Sequence, residues 1–210
     1  NFVAIASHEL RTPATSVYGV LTTLARRDKD LAPDVREELL RTGVEQGERL
    51  RKLLEELLDL SRLDSGVIRV NAKPLVVRTA LEQIAREAVP AGTPLRIDVP
   101  PDLAAVVDRL VLERVVSNLL TNATRYGEPP LLVVAEQRDQ HLRIAVSDEG
   151  RGVPEELQGR LFERFARGDD GVGSGLGLAI ARSYARAHGG DIVYAPQGRG
   201  ARFELVLPQA

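Results

Sequence analysis

The first sixty residues carry two long apolar stripes, each about one side chain wide, and that pattern leaves few folds open. Val3, Ala6, Leu10, Pro13, Val17, Val20 and Leu24 alternate spacings of three and four, a heptad seam. A polar break follows at Asp28, Lys29 and Asp30, and Pro33 with Asp34 then opens a second helix. On it Leu39, Gly43, Gln46, Leu50, Leu53, Leu57 and Leu60 keep the same alternation, while Arg36, Glu37, Glu38, Glu45, Glu48, Arg49, Lys52, Glu55 and Glu56 cover the other faces. A lone hairpin buries one stripe per helix, so a second hairpin is its natural partner. A dimeric four-helix bundle is expected.

Ser65-Gly66 closes the hairpin, and the chain then changes character. Short β-type runs at 67–70, 95–99, 131–136, 142–147, 191–194 and 202–207 alternate with helical stretches at 77–88, 109–126 and 174–188. The expected division is a helical unit over 1–65, a linker over 66–74 and an α/β unit over 75–210.

Composition removes several function classes. With 28 basic and 30 acidic residues the net charge is −2, so no global field favours nucleic acid or anionic lipid. Neither nucleic acid nor membrane contact is expected. The absence of Cys excludes disulfides, thiolate nucleophiles and Cys-type zinc sites. Lysine occurs only at positions 29, 52 and 73, none of them after a glycine-rich loop or in a Val-Ala-Ile-Lys-like strand. That excludes a Walker-type phosphate loop and argues against a eukaryotic-type protein kinase. No Met stands at position 1, and the opening residues show no signal-peptide pattern. The chain is therefore expected to be a cytoplasmic fragment, with membrane anchoring of the full-length protein decided by parts outside it.

Four stretches carry chemistry. In Ser7-His8-Glu9-Leu10-Arg11-Thr12-Pro13, His8 falls on the outward face of the first helix. A solvated surface histidine is the plainer reading. The adjacent Glu9 carboxylate, which can take or orient a ring proton, makes a nucleophilic imidazole the sharper one. In Gly171-Val172-Gly173-Ser174-Gly175-Leu176-Gly177-Leu178, glycines run directly into a helix, where backbone can approach phosphates and the helix start favours negative charge. A flexible loop would look similar, but no register fits the Gly-x-Gly-x-x-Gly fingerprint, so NAD is disfavoured. Asp148-Glu149-Gly150-Arg151-Gly152 is either a plain turn or an acceptor for an exocyclic amine. Asn118 and Asn122 share one helical face, as a mutually satisfied core pair or as oxygen ligands of Mg²⁺. Arg125 and Tyr126 stand one turn further on, where a cation could meet phosphate and a ring could line a ligand.

In this order the segments resemble the catalytic core of a two-component sensor histidine kinase. Ser7 to Pro13 resembles its phosphoacceptor box and Asn118-Leu119-Leu120-Thr121-Asn122-Ala123 its asparagine box. Asp148 to Gly152 resembles the first glycine box, Leu161-Phe162-Glu163-Arg164-Phe165 the phenylalanine box, and Gly173 to Leu178 the second glycine box. The resemblance implies a homodimeric phosphotransfer hairpin followed by a two-layer α/β sandwich of the gyrase and Hsp90 type that binds ATP. It implies His8 as phosphorylated nucleophile, Glu9 as its base, and Asn118 and Asn122 on Mg²⁺. Asp148 would read the adenine amine, with Gly150 and Gly152 permitting approach. Arg125 would meet the phosphates, and Gly173, Gly175 and Gly177 would wrap them as the end of a lid anchored by Phe162 and Phe165. The product would pass to an aspartate of a response-regulator receiver domain. Thr12, sharing a face with His8, would either place a water for removing phosphate from that aspartate or bond its own helix backbone.

The chain departs from the family pattern in three places. Ala14 stands where leucine usually follows the proline, Ala201 stands where threonine is common, and only 166–172 separate Phe165 from Gly173. The short lid leaves Arg167 as a candidate lid contact. Two rivals differ in class: a degenerate ATP-binding scaffold, which would not need intact His8, Asn122 and Asp148, and another ATPase of the gyrase and Hsp90 type, which would lack the hairpin.

Overall fold

The computed structural model describes residues 2–27, 30–64, 70–168 and 173–209. The chain divides into two compact units, Asn1–Arg62 and Leu63–Ala210.

In the first unit, α1 (Phe2–Arg27) and α2 (Pro33–Asp64) form the hairpin. Pro33, whose missing N–H costs nothing at a helix start, and Asp34 occupy the first turn of α2, and Arg26 and Arg27 the last turn of α1; the three charges suit the dipoles at their ends. Ala6, Val20, Leu53 and Leu60 from the two stripes are buried. A Cβ added to Gly43 would lie 3.1 Å from Val20 Cγ1, so this glycine sets a close approach of the two helices. One expectation changes. Glu56, read as part of the charged outer faces, is only 8% exposed, and Asp59 is buried too. The buried stripe runs through Leu53, Glu56 and Leu60, itself a three/four spacing, so Glu56 lies on the seam side.

A second apolar stripe remains uncovered. Leu40, Val44, Leu54 and Leu58 on α2 are exposed, as are Tyr18 and Leu21 on α1. With Gly47 and Arg51 between them, the α2 positions again follow spacings of four and three. No helix among the described residues is long and apolar enough to cross a membrane.

The second unit is a mixed sheet covered by helices. Its strands are β2 (Leu95–Asp98), β4 (Leu131–Arg138), β5 (His141–Ser147), β7 (Arg202–Pro208) and β6 (Asp191–Tyr194), in that spatial order. The β2–β4 pair is parallel and the others antiparallel. A separate antiparallel pair joins β1 (Lys73–Val76) to β3 (Ala104–Val107). The helices are α3 (Val77–Ala88), α4 (Arg109–Tyr126), the short α5 (Glu155–Gln158) and α6 (Gly177–Ala187). One face of the sheet presents Leu131, Val133, Leu142, Ile144, Ile192, Leu205 and Leu207, all buried, while Leu81, Leu112, Leu120, Ile180 and Tyr184 are the buried side chains of α3, α4 and α6. Each such large side chain contributes about 1.5–3 kcal/mol by leaving water.

The helices 77–88 and 109–126 form where the periodicity places them, and α6 starts three residues later than read. β1 opens at Lys73, inside the stretch read as linker, and β3 was not anticipated. Both are four residues long and exist through pairing with each other. The strand expected at 67–70 and the Ser65-Gly66 turn fall mostly outside the described residues; Val70, which is described, is not strand.

Candidate functional site

His8 stands on α1 with its side chain 74% exposed. Its Nδ1 lies 3.7 Å from Glu9 Oε1, and the Glu9 side chain is only 16% exposed. Glu9 Oε2 in turn lies 3.9 Å from Nη2 of Arg49 on α2. Pro13 removes the N–H that would bond the Glu9 carbonyl one turn back. The Thr12 hydroxyl donates to the His8 carbonyl oxygen at 3.4 Å, the local helix bond. The histidine is thus open to solvent while its neighbouring carboxylate is half-buried.

In the second unit, α4 positions the asparagine face. Asp108 caps it, accepting from the backbone N–H groups of Leu110 and Val111, and its other oxygen accepts from Asn71 N–H at 2.6 Å. His188 Nε2, at the end of α6, accepts the Asp108 N–H at 3.1 Å, which ties the start of α4 to the end of α6. Asn118 Nδ2 donates to the Arg114 carbonyl at 2.7 Å. Its amide is thereby turned so that Oδ1 faces Gly177, where an added Cβ would sit 2.7 Å away. Asn122, half-buried one turn on, has its side-chain oxygen uncommitted to any described residue. The paired-core reading of the two amides finds no support, because Asn118 bonds the helix instead.

Asp148, at the end of β5, is 6% exposed. Its Oδ1 accepts from Gly150 N–H at 2.8 Å and from Ala201 N–H at 3.3 Å, and its own N–H donates to the Ala201 carbonyl. Among the described residues both bonds go to Oδ1, which leaves the lone pairs of Oδ2 for a ligand. The backbone closes tightly around this carboxylate. A Cβ on Gly127 would collide with the Asp148 side chain, one on Gly150 would press Gly127, and one on Gly152 would lie 2.9 Å from the Gly200 carbonyl.

The glycine-rich segment meets the end of α4. At Gly173 (φ +92°) an added Cβ would lie 2.5 Å from the Tyr126 hydroxyl and 3.0 Å from Arg125 Nη1, which places these three together. Gly171 and Val172 lie outside the described residues. Gly175 (φ +71°) backs onto Phe165, which itself has φ +64° and donates its N–H to the Gly175 carbonyl at 2.8 Å. Arg167 Nη2 donates to the Ser174 carbonyl at 3.1 Å, a bond within the loop. Phe162 meets Phe203 edge-on at 6.4 Å, and the Arg182 guanidinium lies 4.6 Å from its centroid. Arg182 also forms a two-pronged pair with Asp191 at 2.7 and 2.9 Å, which holds that carboxyl down at about 2. Leu178, expected to belong to the site, is half-buried in the first turn of α6, while Leu176 is the fully buried anchor.

The second unit therefore brings together an acceptor carboxylate, an amide face and a glycine-rich helix start, a set suited to a nucleotide. Gly127 escapes the sequence reading, and Ala201 figures in it only as a departure from the family pattern, not as a partner of Asp148. Gly127 directly follows the helix bearing Arg125 and Tyr126, which was the available signal; Ala201 contributes only backbone, which no residue type announces. Arg49 was read as a solvated charge, and only the hairpin register exposes its place beside Glu9.

Residues 107–210 match the family of histidine kinase-, DNA gyrase B- and HSP90-like ATPases, and residues 1–66 match the His kinase A (phospho-acceptor) domain. The chain is 36% identical over 217 residues to the alginate biosynthesis sensor protein KinB of Pseudomonas aeruginosa, covering 99% of this chain and 36% of that protein. The solved structure of the Acinetobacter baumannii histidine kinase AdeS is similar with a TM-score of 0.78 at 29% identity, over 96% of this chain and 98% of that one. The mycobacterial sensor histidine kinase MprB is 32% identical, with a TM-score of 0.52 over 66% of this chain and 98% of that one. The first curated relatives are longer: the chain spans 36%, 45% and 60% of their lengths.

Proposed function

The chain belongs to the sensor histidine kinase family, and from that premise we propose that it phosphorylates His8 with ATP and passes the phosphoryl group to an aspartate of a response-regulator receiver domain. The observation that carries this reading is the exposed His8 ring with Nδ1 turned to the half-buried Glu9 carboxylate. A ring nitrogen whose partner nitrogen faces a base keeps its own lone pair for attack.

In the proposed reaction His8 Nε2 attacks the γ-phosphorus in line with the departing ADP. Glu9 accepts the proton from Nδ1. Asp148 accepts from the adenine amine through Oδ2, and Gly150 and Gly152 let the base approach. Arg125 meets the phosphates, Tyr126 lines the ligand, and Gly173, Gly175 and Gly177 wrap the phosphate chain. Phe162 and Phe165 anchor the loop that covers it. The amide oxygens of Asn118 and Asn122 are the donors for Mg²⁺, a hard cation that favours oxygen ligands and leaves room for phosphate and water. Bound there, Mg²⁺ would neutralise charge on the phosphates. Positioning and electrostatics supply most of the acceleration in such a transfer.

The uncovered stripe of Leu40, Val44, Leu54 and Leu58 supports a homodimer through the hairpin, because apolar side chains in a row on one helix face seek a partner surface. Thr12 is proposed to assist dephosphorylation of the receiver; its bond to the His8 carbonyl is the rival use of the same hydroxyl.

The test is incubation with ATP labelled at the γ-phosphate. Acid-labile, alkali-stable label on the wild-type chain and none on His8→Gln supports the reading. Equal label on both refutes it.

A further inference from the structure

We propose that Arg49 is a positioning residue for autophosphorylation: from α2 it pairs electrostatically with Glu9 Oε2 and thereby presents Glu9 Oε1 to His8 Nδ1. The proposal rests on the reading of His8 as nucleophile and Glu9 as proton acceptor. Three observations converge on it. The two oxygens of one carboxylate face different partners, with Nδ1 of His8 at 3.7 Å from Oε1 and Nη2 of Arg49 at 3.9 Å from Oε2. The carboxylate they share is mostly shielded, 16% exposed, so its orientation is set by neighbours more than by water. And among the described residues Arg49 pairs with Glu9, whereas its neighbour Arg51 is occupied by Glu48 and Glu55 on its own helix.

The chemistry follows. As the N–P bond forms at Nε2 and the bond from γ-phosphorus to ADP breaks, positive charge builds on the ring and the Nδ1 proton passes to Oε1. A guanidinium facing Oε2 fixes which oxygen of Glu9 meets the ring. It also links the reacting helix to α2, so a change in the α1–α2 register would alter the base.

The test uses the chain described here with saturating Mg-ATP. Arg49→Ala should lower the autophosphorylation rate at saturation by roughly five- to twentyfold and leave the KM for ATP within twofold, because the residue touches no nucleotide. Arg49→Lys should recover most of the rate. Transfer from already phosphorylated His8 to a receiver should be unchanged. An Arg49→Ala protein with wild-type rate overturns the proposal, as does one whose loss lies in the KM for ATP, or a lysine variant no better than alanine. If His8 still takes label in those cases, the proposed function stands and only the role of Arg49 falls; if wild-type His8 takes none, both fall.

Discussion

The two units solve opposite problems. The ATP-binding unit buries its chemistry: Asp148 is 6% exposed, two backbone N–H groups hold one of its oxygens, and glycines close around it where any side chain would collide. The hairpin displays its chemistry: His8 is 74% exposed, on a helix whose other apolar residues include Val3 and Tyr18 in the open. A ligand-reading group gains from a rigid surround, since a preorganised acceptor loses little on binding. A nucleophile that must meet first a nucleotide and then a receiver gains from access. The difference teaches that one unit closes its core around its chemistry, whereas the other leaves an apolar stripe open on the same helices as its chemistry.

The sharpest way to break this contrast is Asp148→Asn. The amide keeps the shape but turns a donor toward a donor, so ATP affinity should fall about a hundredfold while the hairpin still dimerises. Calorimetric titration with ATP beside light scattering reads both properties; loss of the dimer together with nucleotide binding would contradict two separable units. The reciprocal experiment is Leu54→Glu with Leu58→Glu. Each leucine buried at a dimer contact is worth about 1.5–3 kcal/mol, so the double variant should be monomeric at micromolar concentration and still bind ATP. A dimer that survives would move the contact off this stripe.

A smaller effect belongs to the Arg182–Asp191 pair behind Phe162. The folded Asp191 carboxyl titrates at about 2 against an ordinary 3.8, so its contribution is full above the ordinary value and is lost as pH falls through about 2. Because both side chains are about a third exposed, screening leaves about 1 kcal/mol. Asp191→Asn should therefore melt about 2–4 °C lower at pH 7 and converge with wild type near pH 2. The smallest effect is expected from Thr12→Ala. Its hydroxyl makes only a 3.4 Å bond to its own helix on an exposed face, so stability should change by less than about 0.5 kcal/mol and His8 labelling should persist. Slower dephosphorylation of a phosphorylated receiver would assign the hydroxyl to water placement; an unchanged rate would leave it to the helix.

Long periodic segments were legible because their signal is repeated. Helices α3 and α4 run over the residues their apolar spacing marks, and the hairpin seam buries Leu53 and Leu60 as read. What escaped was decided by partners distant in sequence. The strands β1 and β3 are four residues each, too short for alternation to register, and each exists because the other pairs with it. Glu56 reads as surface because charge usually does, yet the stripe turns through it. At the nucleotide end, Asp148 and the asparagines announce themselves by residue type, whereas Ala201 acts through an N–H that every non-proline residue carries. Arg49 is invisible for a different reason. Its partner lies forty residues away on the other helix, and only the register of the hairpin brings them together.

The central claim is that the exposed imidazole of the hairpin takes the phosphoryl group from nucleotide bound by the other unit. Its most direct measurement is mass spectrometry, under alkaline conditions, of peptides from the chain after incubation with Mg-ATP. The account predicts a phosphoryl group on the peptide containing His8, strongly reduced in the same peptide of Asp148→Asn at an ATP concentration that just saturates the wild type. An unmodified His8 peptide beside a phosphorylated residue elsewhere would contradict it.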